Sequence, residues 1–561
     1  MHTTYQYKTY PYRPVPEQLT GKTVRHPVIV IGAGPTGLTA ASDLARKGID
    51  VVVLDAKSRV SEGSRAICFA KRSLEVFDRL GVAEPMRAKG VTWNTGKVFF
   101  KGDEVYQFNL LPEEGHAHPA FINLQQYYVE QFLIEELEAQ PNAEIRWLNR
   151  VVDVKPHEDH VRLTVETPDG QYETEAEWVI AADGVRSVTR EKLGLDFEGI
   201  VFEGKFLITD VVMKADFPPE RWFWFDPPFG SGHSMLLHSQ PDNVWRIDIQ
   251  LGPDADPEEE KKPERVIPRI QAMLGEEIDF DLEWVSVYTF HSRRLDQFVH
   301  GRVLFAGDSA HIMSPFGARG ANSGIQDADN LVWKLNLVME GKAPYELLES
   351  YNHERLHAAK ENLLYTESST EFISPDSPAD LALRDAVLEL AQEYEFARPL
   401  INSGRLSTAT VVMDSPLNTS DSDEWNAPVV VGGPCADAPV QLAGEDTFFL
   451  KQLGDEFVGL LWVGSVDALL SETHQNLHDL SRREIPIRPL LITSESFARA
   501  AVDELPVVCD GQGLLQQRYD ATPGTYYLVR PDQYVCARWR KFDLEKVRDA
   551  LARACCLRRD S

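Results

Sequence analysis

Residues 28–56 read VIVIGAGPTGLTAASDLARKGIDVVVLDA, and the fold of the chain is decided in that stretch. Val28 to Ile31 is an apolar run of strand length, a glycine turn follows, then a helical pattern, then a second apolar run from Val51 to Leu54 that ends on Asp55. Gly32, Gly34 and Gly37 spell G-x-G-x-x-G directly between strand and helix, and Asp55 stands 23 residues beyond the first glycine. Each part has a physical task. The glycines permit a tight turn and the close approach of a pyrophosphate, whose charge meets the helix N-terminus, and the distal carboxylate accepts hydrogen bonds from a ribose. A bare glycine triplet is often a packing turn; strand, helix and distal acid together predict dinucleotide binding. Gly32, Gly34, Pro35, Thr36, Gly37, Asp55 and Ala56 are the expected contacts, and an acid at that place disfavours a 2′-phosphate, which leaves FAD or NAD(H).

Outward from this unit, the chain of 561 residues is long enough for several domains at roughly 150 residues each. Apolar residues make up 43% and charged residues 26%, an ordinary globular composition. With 57 basic and 87 acidic side chains the net charge is −30, which argues against nucleic acid and against anionic membrane surfaces as partners. Six cysteines show no C-x-x-C or finger-like His spacing, so neither structural zinc, nor any other metal, nor a disulfide framework is expected. The polar, proline-rich start has no signal-like apolar core, and no run of about 18 uncharged apolar residues occurs, so a cytoplasmic, soluble protein is expected.

Further along, residues 71–80 and 126–139 have helical periodicity and Val98 to Phe108 reads as extended. Alternating β-rich segments run from 144 to 182 with a turn at Asp169-Gly170. A second extended block covers 200–290, interrupted by PDADPEEEKKPE, which reads as an acidic loop. GRVLFAGDSAH again leads an apolar strand into a small-residue turn, and a helix follows with Ile325, Ala328, Val332, Leu335 and Met339 on one face. The expected layout is an N-terminal extension (1–26), a dinucleotide domain in two parts (27–200 and 288–402), an inserted β-sheet substrate domain (201–287, with 95–120 contributing), a Ser/Thr/Asp-rich linker (403–427) and a small α/β domain (428–561).

Two later motifs separate the cofactors. AADGVRSVTR (181–190) and GDSAH (307–311), the latter completed by GIQDADNLVWKL, resemble the second and third fingerprints of the flavoprotein aromatic hydroxylases, the family of para-hydroxybenzoate hydroxylase. The resemblance covers roughly residues 27–400 and implies a Rossmann-like FAD-binding domain of α/β class. By that resemblance Asp308, with Gly307, binds the flavin ribitol, while Asp183 and Gly184 lie near the flavin and the passing nicotinamide cofactor. It also implies flavin contacts for Arg65 in the SRA segment and for Gln126, with Gln125 as the alternate. The loop from Ser314 to Asn322 precedes a helix, so N–H groups around Gly320, Ala321 and Asn322 are expected to face the flavin pyrimidine edge, with Pro315 beside its reacting edge. The commoner family pattern has Gln where Arg319 stands and a bulkier apolar residue at Ala321, which leaves the local packing open.

The activity so implied is hydroxylation of a phenolic or related aromatic small molecule, with non-covalent FAD, transient NADPH or NADH, and O2, through a flavin carbon-4a hydroperoxide. Polar and aromatic candidates for substrate contact are Trp224, His233, His238, Arg246, Tyr288 and His291, although a lone His or Arg on a strand is more often a structural hydrogen-bond partner. The tail resembles the thioredoxin-like appendage of hydroxyphenylpropionate, phenol and polyketide hydroxylases, with LVRPDQYVCARW as its terminal hairpin, but without a redox C-x-x-C. It is expected to cap the fold or form a dimer contact, and a homodimer is left open. Two other readings are weighed. A flavin halogenase or reductase of the same fold is disfavoured, because Trp222-Phe223-Trp224 is followed by Phe225-Asp226-Pro227 and not by the halogenase x-x-Ile-Pro. A non-catalytic flavin-fold carrier is disfavoured by the retained Asp308.

Overall fold

The computed structural model describes residues 4–214, 217–230, 233–275, 277–401, 406–465, 471–495, 501–502 and 504–557. The chain divides into two compact units. Met1–Pro112, Pro119–Ala328 and Ala359–Thr408 form the first, and Glu113–His118, Asp329–Ala358 and Ala409–Ser561 the second.

The first unit carries two eight-stranded sheets. In one, Val303–Phe305, Gly170–Ala181, Arg25–Ile31, Val51–Asp55 and Ala143–Trp147 lie side by side in that order, all parallel. Val30 is in register with Ile180 on one side and Val53 on the other. A parallel strand covered on both faces needs apolar residues at every position, and Val28, Ile29 and Val30 are fully buried. The helix Pro35–Arg46 starts on proline, whose fixed φ suits a first turn, and returns the chain to Val51 with Leu38, Ala41 and Leu44 buried.

The second sheet runs, in order, His311–Ile312, Phe280–Arg294, Glu198–Met213, Val244–Leu251, Met235–Ser239, Arg221–Phe225, Thr95–Phe100 and Asp103–Asn109. Its side chains alternate between two faces. Leu207, Val211, Trp222, Trp224, Ile247 and Ile249 pack beneath the helix Pro263–Leu274, which contributes Val266 and Ile270. Phe206, Phe223, Phe225, Tyr288 and Phe290 point to the other side.

Three local expectations are corrected. The acidic stretch is not a loop: Pro257–Glu260 and Pro263–Leu274 are helices. Asp256 accepts the Glu258 N–H as an N-cap, and Val266, Ile270 and Leu274 recur every four residues as one buried stripe that the flanking charges disguise. The extension is not merely irregular, since it holds a short helix, Pro16–Thr20, and buries Tyr5, Tyr10, Val15 and Glu17. Tyr10 stacks on Trp147 at 4.4 Å, and Glu17 accepts from Arg146 at 2.9 Å and from Thr174 at 3.1 Å, with His26 at 3.0 Å. Of the expected linker, 403–405 lie outside the described residues. The rest has neither helix nor strand, yet Leu406, Val412, Ser415 and Leu417 are buried. Its polar residues satisfy backbone instead of solvating a tether, as where the Asn418 amide donates to the Val412 carbonyl at 2.9 Å.

In the second unit Phe457–Trp462, Ile487–Thr493 and Leu505–Cys509 are parallel, with the helix Ser471–Ser481 connecting the first two. The hairpin Tyr526–Val529 and Val535–Trp539 adds antiparallel beside Phe457–Trp462, and the helix Leu544–Ala554 closes the chain. That is the expected thioredoxin-like arrangement. All six cysteines are free thiols and all but Cys556 are buried. Asp329–Ala358 belongs to this unit because Trp333, Ala343 and Leu347 complete an apolar core with Phe457, Leu461 and Trp539. Beside that core the buried Arg530 donates to Glu354 at 2.5 Å and to Asp532, and Lys334 donates to the other Glu354 oxygen at 2.8 Å. No described helix is long and apolar enough to cross a membrane.

Candidate FAD and substrate site

The site begins at the glycine turn. Gly32 has φ +106°, and a Cβ there would strike the Ala182 carbonyl, while a Cβ on Gly37 would strike the Gly32 carbonyl. At Gly34, by contrast, none of the described residues beyond its chain neighbours lies within 4 Å of where a Cβ would stand. Two glycines thus close the turn and the third leaves its outer side open for a phosphate to approach. Asp55 is braced at the end of its strand, one oxygen accepting the Ala33 N–H and the other the Lys57 N–H, each at 2.7 Å. Burial raises its carboxyl, and the free lone pairs are left for a ribose.

The opposite wall is the turn Gly307–Ser309. The Gly307 N–H donates to Asp327 at 2.9 Å, His311 Nε2 meets the same Asp327 oxygen at 2.7 Å, and the Ser309 hydroxyl reaches the Ala181 carbonyl at 2.5 Å. Asp327 is therefore a positioning residue that the sequence reading passed over, although it stands in the quoted GIQDADN. Gly324 is another, since a Cβ there would collide with the Thr36 hydroxyl. Asp308 looks out of this wall: solvent reaches it, yet surrounding protein still desolvates its carboxyl and raises it, against the pull of His311 and Arg65. Asp183 has one oxygen held at 3.0 Å by both the N–H and the hydroxyl of Thr189, while the other, Oδ1, is buried without a hydrogen-bond partner among the described residues.

The loop Ser314–Asn322 leads into the helix Gly320–Met339. The Ser323 N–H bonds the Arg319 carbonyl at 2.7 Å, so the N–H groups of Gly320, Ala321 and Asn322 precede the first intrahelical acceptor. Pro315 is exposed, and none of the described residues beyond its own helical turn lies within 4 Å of a Cβ built on Gly320. The Asn322 side chain is spent within the protein. Its oxygen accepts from the Ala70 N–H and the Ser73 hydroxyl at 2.9 and 2.7 Å, and its amide donates to the Cys68 and Ala318 carbonyls. Only its backbone is left to face a ligand. Arg319 turns inward, donating to Asn362 and lying 4.6 Å over the Tyr365 ring, where burial lowers its guanidinium to about 10.

Arg65 is exposed, has φ +32°, and is close enough to Asp308 for its charge to act on that carboxylate. Gln126 is turned to the segment that carries Arg65, accepting the Ala66 N–H at 3.2 Å and donating to Ser61 and Glu130. Gln125 points inward to the Pro241 carbonyl.

The six substrate candidates do not converge. Trp224 lies on the sheet face under the helix Pro263–Leu274, stacked on Phe99 at 5.3 Å. His233 is lowered by burial and by Arg269 of that helix, and His291 alternates away from Phe290. Arg246 is buried and fully engaged, donating to Asp210 at 3.0 Å, to the Arg65 carbonyl at 2.7 Å and to Ser64, so it braces the flavin-side turn. His238 is buried near Asp248 at 3.7 Å, and burial with Arg221 lowers it to about 4. Only Tyr288 packs with the aromatic cluster on the open face. The reason is register. Strand residues swap faces at every step, and the pairing of the two longest strands shifts between Asp210 and Val211.

That open face contains a cavity of about 580 Å³. Tyr106, Phe108, Phe223, Phe225, Phe316 and Phe372 form its wall, and Gly317 of the flavin-edge loop lines it too. Phe225 meets Phe372 edge-on at 5.5 Å, and Phe316 packs edge-on against Phe206 and Phe290 at 4.9 and 5.2 Å.

These residues fit FAD: an open phosphate turn, carboxylates facing the groove, an unpartnered Asp183 oxygen and a free helix N-terminus. Fold and site define a flavin enzyme with an aromatic-walled pocket. Residues 25–365 match the FAD binding domain family, and the chain belongs to it. Residues 440–554 match the HcaD C-terminal domain. The chain is 29% identical to a 6-methylpretetramide 4-monooxygenase of Streptomyces rimosus, over 92% of its own length and 91% of that protein. It is 27% identical to a 3-(3-hydroxy-phenyl)propionate/3-hydroxycinnamic acid hydroxylase of Mycolicibacterium gilvum, over 91% and 88%. A solved flavin-dependent monooxygenase, PieE, in complex with FAD and substrate, superposes with a TM-score of 0.78 at 20% identity over 95% of this chain and all of that one, and so shares the fold. The chain is an FAD-dependent monooxygenase of the aromatic hydroxylase family, acting on a small molecule.

Proposed function

We propose that the aromatic-walled cavity is the substrate site and that the enzyme hydroxylates a phenolic molecule larger than a single ring. The observation that carries this is the cavity itself, six aromatic side chains around about 580 Å³ that extends to Phe316 and Gly317, next to Pro315. Such a volume suits a drug-sized ligand, and its walls offer ring faces and edges more than point charges. The FAD contacts in this reading are Gly32, Gly34, Pro35, Thr36 and Gly37 at the pyrophosphate, Asp55 and Ala56 at the ribose, and Arg65, Gln126, Asp183, Gly184, Gly307 and Asp308 along the rest. Pro315 and the N–H groups of Gly320, Ala321 and Asn322 complete them at the flavin edge. When bound, FAD supplies the redox and oxygen chemistry, with NADPH or NADH as transient reductant and O2 as oxidant. The chain's own side chains hold the ring, keep water from the cavity and present the helix N-terminus to developing negative charge.

Free thiols at all six cysteines support a cytoplasmic location, and a homodimer is the assembly proposed. A panel of phenols with one to four rings, scored by NAD(P)H-dependent oxygen uptake and product mass, tests the reading. Turnover confined to single rings would overturn the size assignment, and sedimentation of the holoenzyme as a monomer would overturn the dimer.

A further inference from the structure

Glu395 and Arg398 are the charged side chains among the described residues lining the cavity. They come from consecutive short helical segments, Glu395–Ala397 and Arg398–Ile401, while strands supply Tyr106 and Phe223. Arg398 Nε donates to the Ala391 carbonyl at 3.3 Å, its guanidinium stands 5.9 Å from the Tyr106 ring, and Nη1 lies 3.6 Å from Glu395 Oε1. The Glu395 side chain is 90% exposed and that of Arg398 35%. So exposed a partner adds little, because water competes for both charges. A carboxylate presented from inside the cavity would meet the same guanidinium in a less polar setting and in bidentate geometry, and would displace Glu395. In a chain of net charge −30, a cation on the wall of a largely apolar cavity, whose one carboxylate among the described residues is turned to solvent, offsets the repulsion that an anionic ligand meets elsewhere.

We propose that Arg398 is a specificity residue that receives a carboxylate carried by the aromatic substrate, with Glu395 occupying its place in the absence of ligand. The proposal rests on the cavity being the substrate site. It selects acids over their neutral analogues, and arginine over lysine at position 398, since only the planar fork meets both carboxylate oxygens.

The test is titration of the FAD holoenzyme with 6-hydroxy-2-naphthoic acid and with 6-hydroxy-2-naphthamide, read by perturbation of the flavin absorbance. Wild type is expected to bind the acid about tenfold more tightly than the amide, the difference between a charge-assisted and a neutral hydrogen-bonded contact. Arg398→Met is expected to bring the two within about twofold by weakening the acid alone, and Arg398→Lys to fall between. Glu395→Gln, which keeps the arginine, is expected to tighten the acid about threefold and leave the amide unchanged. Persistence of the acid preference in Arg398→Met, equal loss of both probes, or equal binding of both by wild type would overturn the role of Arg398 while leaving the cavity as substrate site. Failure of both probes to perturb the flavin in wild type would overturn the cavity reading and this proposal with it.

Discussion

At Asp308 and Gly320 the consequences of single side chains can be isolated. The Asp308 carboxylate faces the groove and makes no fold-holding bond comparable to that of Asp327, so Asp308→Ala is expected to fold normally and to weaken FAD binding by about 1.5–3 kcal/mol, the worth of hydrogen bonds to a charged acceptor. Fluorescence titration of the apoprotein with FAD measures it, and an unchanged Kd would remove Asp308 from the site. Gly320 offers a cleaner separation. Because none of the described residues beyond its own helical turn lies within 4 Å of its Cβ position, Gly320→Val is expected to leave the melting temperature of the apoprotein unchanged while slowing flavin reduction and raising hydrogen peroxide release. Stopped-flow reduction at the wild-type rate would place the loop away from the flavin. The glycines and acids of the groove were legible in the sequence because each acts within a few residues of a strand end. Asp327 and Gly324 were less so, because what they brace, Gly307 and Thr36, is distant along the chain. The cavity was illegible: Tyr106, Phe223, Phe316 and Arg398 meet only once the sheet and helices have formed.

Among the elements, strand and helix were legible where the apolar signal is strong, as in the continuous run Val28 to Ile31 and the stripe of Gly320–Met339, and the helix was lost where charge masked its stripe, as in Pro263–Leu274. The short helix Pro16–Thr20 carries one buried acid, Glu17. Burial disfavours the Glu17 carboxylate, but hydrogen bonds from His26 and Arg146 outweigh it and hold the group at about 2, from an ordinary 4.5. A depressed carboxyl stabilises the fold above its unfolded value and loses that contribution as pH falls from about 4.5 towards 2. The shift corresponds to roughly 3 kcal/mol at neutral pH. Glu17→Gln is therefore expected to lower the melting temperature at pH 7, with the gap to wild type narrowing from pH 5 to pH 3. A gap independent of pH would show that packing, and not charge, holds the segment.

On the scale of the whole chain, the second unit has a core whose charge cluster is as demanding as its apolar side chains. Glu354 is held well below the ordinary carboxylate range: burial opposes its charge, and Arg530 and Lys334 more than compensate. Removing that charge leaves a buried guanidinium with one carboxylate fewer, so Glu354→Gln is expected to cost about 3–5 kcal/mol, read as an earlier urea transition of the second unit. Loss of less than about 1 kcal/mol would mean that Asp532 alone suffices for Arg530. The unit is also assembled from three separate stretches, and Glu354 and Arg530 are 176 residues apart. Set on a ribosome, that separation becomes a delay. At about 5–20 residues per second, Glu354 waits roughly 9–35 s for the hairpin that brings it Arg530. Until Phe457 and Leu461 follow, Trp333 and Leu347 have no core to enter. Nascent-chain quality control therefore has a window on this segment, and the tail cannot be exchanged between relatives as a cassette without carrying residues 329–358 along with it.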